Sequence, residues 1–453
     1  MKKIFVMLAL TVGLIGCGSG VDKQKDEVIK ENVIKQNLVS VEKVQKSVKD
    51  ENIILIDTRS YDEYNGWDLD GNGIHGHIPG AVNYPISAII DSEIEKALER
   101  KGIKEGNEII VYGEGSETMA EKLVEKGYTV SILDGGVEKW VNNSLSLEKL
   151  KRYETIVPVS WVKDLLDGKK VAHYDGKPVK VFNVGWSEDG KPHKEGHIPG
   201  SYWIHTGWVE VGPLWNRVND EKIKAEMEKQ GITTDTLVLV YGNDSTAAAR
   251  FGIIAKYAGV EDVRIINGGL KAWKDAGYLV ETEMKTPEPV EEFGANVPQN
   301  PELIVDLPEA IEILKAEDGD LISIRSWKEY TGKTSGYDYI KPRGRIKGAK
   351  WGMAGSNPWH MEDYRGVDES HMRPYTEIQK IWEELKIDSN NHLAFYCGTG
   401  WRASEVWFYA QAMGLENISI YDGGWKEWSE VKETKDKVLK GEPEKLNEES
   451  YLD

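Results

Sequence analysis

The sequence predicts an α/β protein of three tandem domains, each a parallel sheet flanked by helices. Length allows it: 453 residues, at roughly 150 per domain, leave room for about three. Self-similarity points the same way, since one ordered set of short motifs occurs three times along the chain. Within each copy, short β-rich apolar runs alternate with helical patterns about 10–15 residues long, the signature of βαβ units around a parallel sheet.

Each copy opens on an apolar run with a polar corner: Ile53-Ile54-Leu55-Ile56-Asp57-Thr58-Arg59, Val179-Lys180-Val181-Phe182-Asn183-Val184-Gly185, and Asp320-Leu321-Ile322-Ser323-Ile324-Arg325. A glycine turn follows, as Gly76-His77-Ile78-Pro79-Gly80-Ala81, Gly196-His197-Ile198-Pro199-Gly200-Ser201 and Gly344-Arg345-Ile346-Lys347-Gly348-Ala349. A second apolar strand ends at Tyr112-Gly113, Tyr241-Gly242 and Tyr396-Cys397. A further helix leads to Asp134-Gly135-Gly136, Asn267-Gly268-Gly269 and Asp422-Gly423-Gly424, with Trp140, Trp273 and Trp428 at one spacing. The helix predicted over 376–385 shows the period well, with Ile378, Ile381, Trp382 and Leu385 at i, i+3, i+4 and i+7. These landmarks place the domains at 39–151, 152–282 and 303–435. Residues 283–302, with Pro287, Pro289, Pro298 and Pro301 close by or within, read as a linker. Residues 436–453 read as a charged C-terminal tail.

The N-terminus reads as an address. Lys2 and Lys3 precede an apolar run over 4–15, and Gly16 and Cys17 follow. A basic start, a short apolar stretch and a small residue at the cleavage point describe a signal peptide over 1–16. The run is too short to span a bilayer. Its ending resembles the bacterial lipobox, in which cleavage precedes the cysteine and lipid joins the sulfur of Cys17. The chain is therefore expected to be exported and lipid-anchored to the cell envelope, on the outer face of the cytoplasmic membrane or in the periplasm. Residues 17–38, Lys/Glu-rich and aperiodic, form the tether.

Composition excludes several functions. Against 57 Lys and Arg stand 76 Asp and Glu, a formal charge of −19, which disfavours nucleic acid as a partner because phosphate contacts need a basic surface. Two cysteines make neither a disulfide scaffold nor a thiolate zinc site, and no metal or organic cofactor is implied. His75 with His77, and His193 with His197, lack the acids or thiols of a metal site and read as structural hydrogen-bonding residues, His77 and His197 within the glycine turns. Sixteen tryptophans against six phenylalanines have no account at this level.

With Cys17 lipidated, Cys397 is the one free thiol of the exported chain. It opens Cys397-Gly398-Thr399-Gly400-Trp401-Arg402, between the strand Leu393-Ala394-Phe395-Tyr396 and a helix beginning near Ala403. A loop there turns successive N–H groups inward and favours negative charge. Gly398 and Gly400 permit the tight backbone, the nest stabilises a Cys397 thiolate, and Arg402 adds a permanent cation. The other two copies carry Gly113-Glu114-Gly115-Ser116-Glu117 and Gly242-Asn243-Asp244-Ser245-Thr246, with no thiol, and read as non-catalytic.

Asp-x-Arg after a strand, His-Ile-Pro-Gly-Ala, a loop after the second strand and Asp-Gly-Gly-x₃-Trp together resemble the rhodanese family. The fit is best to bacterial sulfurtransferases with three tandem rhodanese-like domains of which the last is catalytic. The resemblance implies that Cys397 takes sulfane sulfur from a small anionic donor, thiosulfate or 3-mercaptopyruvate, and hands the persulfide to a thiol or cyanide. Gly398, Thr399, Gly400, Trp401, Arg402 and Arg325 would bind the substrate. The six-residue loop from Cys397 to Arg402 matches the sulfurtransferases, whereas the related phosphatases carry one residue more. The third copy departs from the family at Ser323 and Arg345, and carries Glu329 where two-domain thiosulfate enzymes place a substrate-contacting arginine. Lys328, Arg343 and Arg345 are candidate replacements. The residues 351–359 read as a loop that is either a wall of the site or scaffold. The alternative from another class is a sulfur carrier without turnover or a partner-binding scaffold.

Overall fold

A computed structural model describes residues 37–451 apart from 48, 49 and 51. The proposed signal peptide, Cys17 and nearly all of the tether lie outside the described residues. Three five-stranded sheets are present, and in each the strands numbered in chain order lie 1-5-4-2-3. Every pair within them is parallel. The expected α/β architecture of three tandem domains, each built on a parallel sheet, is therefore present. The central strands are Glu108–Tyr112, Leu237–Gly242 and His392–Tyr396, almost entirely buried, as both-faced burial in a parallel sheet requires. The polar corner, the loop after the central strand and the Gly-Gly element each sit at the carboxyl end of a strand, where open α/β sheets bind ligands, while the glycine turn leads into the edge strand.

The repeated histidines and tryptophans are structural, as read. His77 Nδ1 bonds Tyr64 O at 2.8 Å and His197 Nδ1 bonds His193 O at 2.8 Å. Trp140, Trp273 and Trp428 are buried, and their indole N–H groups donate to Ser146 O, Leu279 O and Lys437 O. The segment over 283–302 has no regular element until a short 3₁₀ turn at Pro301–Leu303. It lies along the second domain through buried Phe293, whose carbonyl accepts from Thr234 N. The segment after 435 is built into the third domain. Val438–Leu439 pairs antiparallel with Arg345–Ile346, Arg345 Nε donates to Glu449 at 2.8 Å, and Asn447 caps Trp351 N. Its charges looked like those of a solvated tail, but one of them neutralises the buried Arg345.

The second and third domains meet along the helices that follow their central strands, Ser245–Ala258 and Trp401–Ala412, both buried almost throughout. Gly252 lets them approach: a β-carbon there would stand 2.9 Å from the Phe408 ring. A chain of buried charges joins the two domains beside this contact. Arg250 donates to Glu210 at 3.2 Å and to Asp422, and Arg217 donates to Asp422 at 2.9 Å and to Asp306 at 2.6 Å. The first domain docks on the strap between Lys350–Trp351 and the helix Tyr375–Glu384 of the third. Buried Lys101 pairs with Glu377 of that helix at 2.8 Å, and Val367 N of the strap donates to Tyr61 Oη at 3.1 Å.

Asp422 and Asp134 hold one motif position in different settings. Asp422 is fully buried between two guanidinium groups, while Asp134 is half exposed and pairs with Lys139. Asp422→Asn strands Arg250 and is expected to cost about 3–5 kcal/mol; Asp134→Asn is expected to stay within about 1 kcal/mol. Unfolding in denaturant, followed by tryptophan fluorescence, separates the two, and equal costs would contradict the reading.

Candidate active site

Cys397 sits at the carboxyl end of the central strand His392–Tyr396, buried to 1% exposure, and the helix Trp401–Ala412 begins four residues later. The loop between them is shaped from below. Trp425 N and Lys426 N, in the first turn of Gly424–Glu430, donate to Cys397 O at 2.8 Å and Gly398 O at 3.1 Å. Gly424 is required there, because its φ is +54° and a β-carbon would stand 2.8 Å from both carbonyls. The repeated Gly-Gly element thus holds the loop's carbonyls outward. Among the described residues the amides of Gly398, Thr399 and Gly400 make no hydrogen bond, which leaves the expected nest open beside the thiol. Gly400 has φ +96°, and Gly398 lies against Tyr337, whose ring a β-carbon would meet at 2.4 Å.

The cations differ from the sequence reading. Arg402 does close the loop, but it is buried and forked onto Glu329, at 3.1 Å and 2.8 Å. Burial works to raise the Glu329 carboxyl, yet Arg402 and Arg325 hold it down at about 2. Glu329 also forms a capping box with Ser326. Arg325 lies behind the loop, fully buried, donating to Gly344 O at 2.9 Å with its guanidinium 4.6 Å from the Trp425 ring. Arg345 is committed to Glu449. The acid at 329, where an arginine was sought, consumes the charge of Arg402.

Beside the loop opens a cleft of about 360 Å³ lined by both the second and the third domain. Thr399, Trp401 and Arg402 line it, joined by Tyr337, Tyr339, Pro358 and Trp359 of the third domain. The second supplies Trp186, Glu188, His205, Glu210, Trp215, Asp244 and Thr246 among others. Cys397 lies just beneath, close enough for its charge to act on Tyr337 and Tyr339. Burial raises both phenols, Tyr339 to about 12, and the Thr399 hydroxyl interacts with the Tyr339 oxygen. Four aromatic side chains are exposed among the described residues, Trp186, Trp215, Tyr339 and Trp359, and all four line this cleft. Its charged lining is three acids and Arg402, whose charge is already spent. His205 is bound at both ring nitrogens, to Gly207 N and Trp186 O.

The loop residues read from sequence therefore come together, and Arg325 supports them from behind. What sequence missed is the far wall. Asp244 and Thr246 belong to the second domain's silent loop, the counterpart of the cysteine loop. That loop has been refolded, since a β-carbon on Gly242 would stand 2.6 Å from Val184 O. Trp359 comes from the segment read as wall or scaffold, and it is wall. The excess of tryptophan was the one available signal for the cleft.

Comparison with known proteins agrees with this anatomy. The Rhodanese-like domain profile matches residues 40–143, 158–276 and 306–431. Thiosulfate sulfurtransferase YnjE of Escherichia coli is 42% identical over 396 residues, covering 85% of this chain and 89% of that protein. Sulfur carrier protein TtuD of Thermus thermophilus is 28% identical over 288 residues, covering 61% of this chain and 94% of its own. The wild-type structure of EanB superposes with TM-score 0.86 at 38% identity, over 90% of this chain and 98% of that one. The anaerobic ergothioneine biosynthesis enzyme of Chlorobium limicola, solved with its natural substrate trimethyl histidine, gives TM-score 0.85 at 38% identity over 89% and 99%. With three matched domains, a single cysteine loop and relatives of this extent, the chain belongs to the rhodanese-like family of sulfurtransferases.

Proposed function

We propose that the protein carries sulfane sulfur as a persulfide on Cys397 and transfers it to a small organic cation bound in the cleft between its second and third domains. One observation carries the choice of acceptor: the four exposed aromatic side chains converge on the cleft with three acids, and its one cation is neutralised. Aromatic faces and carboxylates together recognise quaternary ammonium groups, whose charge the ring quadrupole attracts. Structural neighbours support the reading, since EanB has been solved with hercynine and as a cysteine persulfide with ergothioneine. A trimethylated histidine is the acceptor class that fits both.

The chemistry runs in two steps. The Cys397 thiolate attacks the outer sulfur of a sulfane donor; with thiosulfate, the donor in the name of YnjE, the donor's S–S bond breaks and sulfite leaves. 3-Mercaptopyruvate is the other candidate donor, and with it a C–S bond breaks and pyruvate leaves. The amides of Gly398, Thr399 and Gly400 stabilise the sulfur anion in place of a side-chain cation. The acceptor carbon then attacks the outer persulfide sulfur, a C–S bond forms, and the S–S bond to Cys397 breaks. The acceptor gains one sulfur and Cys397 returns as a thiol, with hydrogen conserved between them. A thiol or cyanide can replace the organic acceptor as a small nucleophile. Transfer without multiple turnover would make the protein a carrier, as the name of TtuD describes.

The proposal extends to location. Lys2, Lys3, the apolar run over 4–15 and Cys17 support export and attachment to the cell envelope by a lipid on Cys17. Cys17→Ser is expected to move the protein from the membrane to the soluble fraction; retention in the membrane would refute lipid attachment.

Intact-protein mass spectrometry of the chain given thiosulfate, then 3-mercaptopyruvate, should show one added sulfur. Cys397→Ser should show none, and hercynine should discharge the wild-type adduct over repeated cycles. No adduct from either donor would refute sulfur transfer, and an adduct that cyanide discharges but hercynine does not would refute the cationic acceptor. Trp359→Ala, which removes one exposed ring, is expected to raise KM for hercynine about tenfold, in line with about 1–2 kcal/mol per cation–π contact, and to leave cyanide turnover within about twofold. Equal effects on both acceptors would contradict an aromatic cage.

A further inference from the structure

The buried charges that join the second and third domains form an alternating row that ends at the cleft. Glu210 faces Arg250 at 3.2 Å, Arg250 faces Asp422, Asp422 faces Arg217 at 2.9 Å, and Arg217 faces Asp306 at 2.6 Å. Three carboxylates against two guanidinium groups give the row a net charge of −1. At the Asp306 end the side chain is half exposed, and water serves it. At the Glu210 end the carboxylate is 2% exposed and lines the cleft, where its other neighbour is the neutral indole N–H of Trp401 at 2.8 Å and 3.0 Å. The Trp401 ring lies 5.6 Å from that of Trp186, which is open to the cleft.

We propose that Glu210, from the second and catalytically silent domain, is the specificity residue for the acceptor's cationic group. A quaternary ammonium lying against Trp186 and Trp401 becomes the sixth member of the row, beside the one of its carboxylates that lines the cleft. This rests on the reading of the cleft as a site for a cationic acceptor, and deepens it by naming the residue that recognises the charge.

The placement has a consequence for pH. Burial pushes the Glu210 carboxyl up to about 7, against the pull of Arg250 and the Trp401 hydrogen bond. Asp422 adds to the rise, and Tyr339 stands near enough to feel the Glu210 charge. The cleft's other acids differ, since Glu188 is open to water and Asp244 is shared with Thr246 and Arg365. A cation favours the ionised form of Glu210, so affinity rises as pH increases through about 7 and levels off above it. If the protonated form does not bind, the change between about pH 6 and pH 8 is about tenfold.

Tetramethylammonium, whose charge does not titrate, tests this by calorimetry on the full chain at those two pH values. Wild type is expected to bind about tenfold more tightly at the higher pH. Glu210→Gln is expected to bind more weakly there and equally at both. Trp186→Ala, at an exposed position, should weaken binding at both pH values and keep the tenfold ratio. Absence of binding at the higher pH, a wild-type affinity independent of pH, or a Glu210→Gln variant that binds as wild type would each overturn the proposal. A chain that loads Cys397 and discharges it to hercynine yet shows no pH-linked ammonium binding overturns this assignment alone. Ammonium binding with no sulfur on Cys397 overturns sulfur transfer alone.

Discussion

The row Glu210–Arg250–Asp422–Arg217 is the interaction on which the site depends. Cys397 and its amide nest belong to the third domain, but half of the cleft above them belongs to the second. The two halves keep register because guanidinium groups from one domain are buried against a carboxylate of the other. Buried ion pairs contribute little net stability compared with apolar packing, because desolvation offsets most of their attraction. Their geometry is demanding, however, and a half-made row leaves a charge without water or partner. Domain orientations that misalign Arg250 and Asp422 are thereby penalised far more than a greasy contact would penalise them. Helix packing at Gly252 supplies the area, and the charges supply the alignment.

The threefold repeat has been put to three uses at one motif position. Asp134 of the first domain faces solvent with Lys139. Asn267 of the second donates to Asp62 at 2.7 Å and accepts from Met372 N at 2.9 Å, tying all three domains at one point. Asp422 of the third receives both arginines. The silent loops have likewise become surface rather than catalyst: Asp244 and Thr246 are wall where Cys397 and its neighbours are nest. The first domain reaches the site indirectly, by holding the strap that carries Trp359 through Arg100 and Tyr61, and the helix after it through Lys101.

A single exchange of sign at position 329 reshapes the electrostatics of the loop. An arginine there would add a cation beside Arg402, whereas Glu329 takes the guanidinium of Arg402 bidentately and is itself held by Ser326. The thiol end of the cleft is left with backbone amides as its positive potential. The open end is left acidic and aromatic. Tryptophan serves both ends of this economy and the fold besides. Trp140, Trp273, Trp428, Trp67 and Trp401 each deliver an indole N–H to a carbonyl or carboxylate oxygen, which phenylalanine cannot do.

Much of this protein was legible in its residues taken in order. The three copies, the parallel sheets and the placing of the Cys397 thiol at a strand end, where Gly113 and Gly242 stand in the other copies, all follow from local pattern, because strand period and turn glycines are properties of short segments. The helix read over 376–385 is found at Tyr375–Glu384 for the same reason. Two things were not legible. The charge of Arg402 could be judged only once folding brought Glu329 within 2.8 Å across 73 positions, and the segment after 435 could be placed only by its pairing with Arg345–Ile346. The aromatic and acidic lining of the cleft is wholly a tertiary product: Trp186, Glu210, Trp215 and Trp359 carry no motif, and they meet because buried charges and packed helices fix one domain over another. Sequence alone determined where the loop's thiol stands, since a strand end and its turn glycines are local features; the tertiary structure decided what surrounds it, since a cleft exists only between surfaces that the chain brings together.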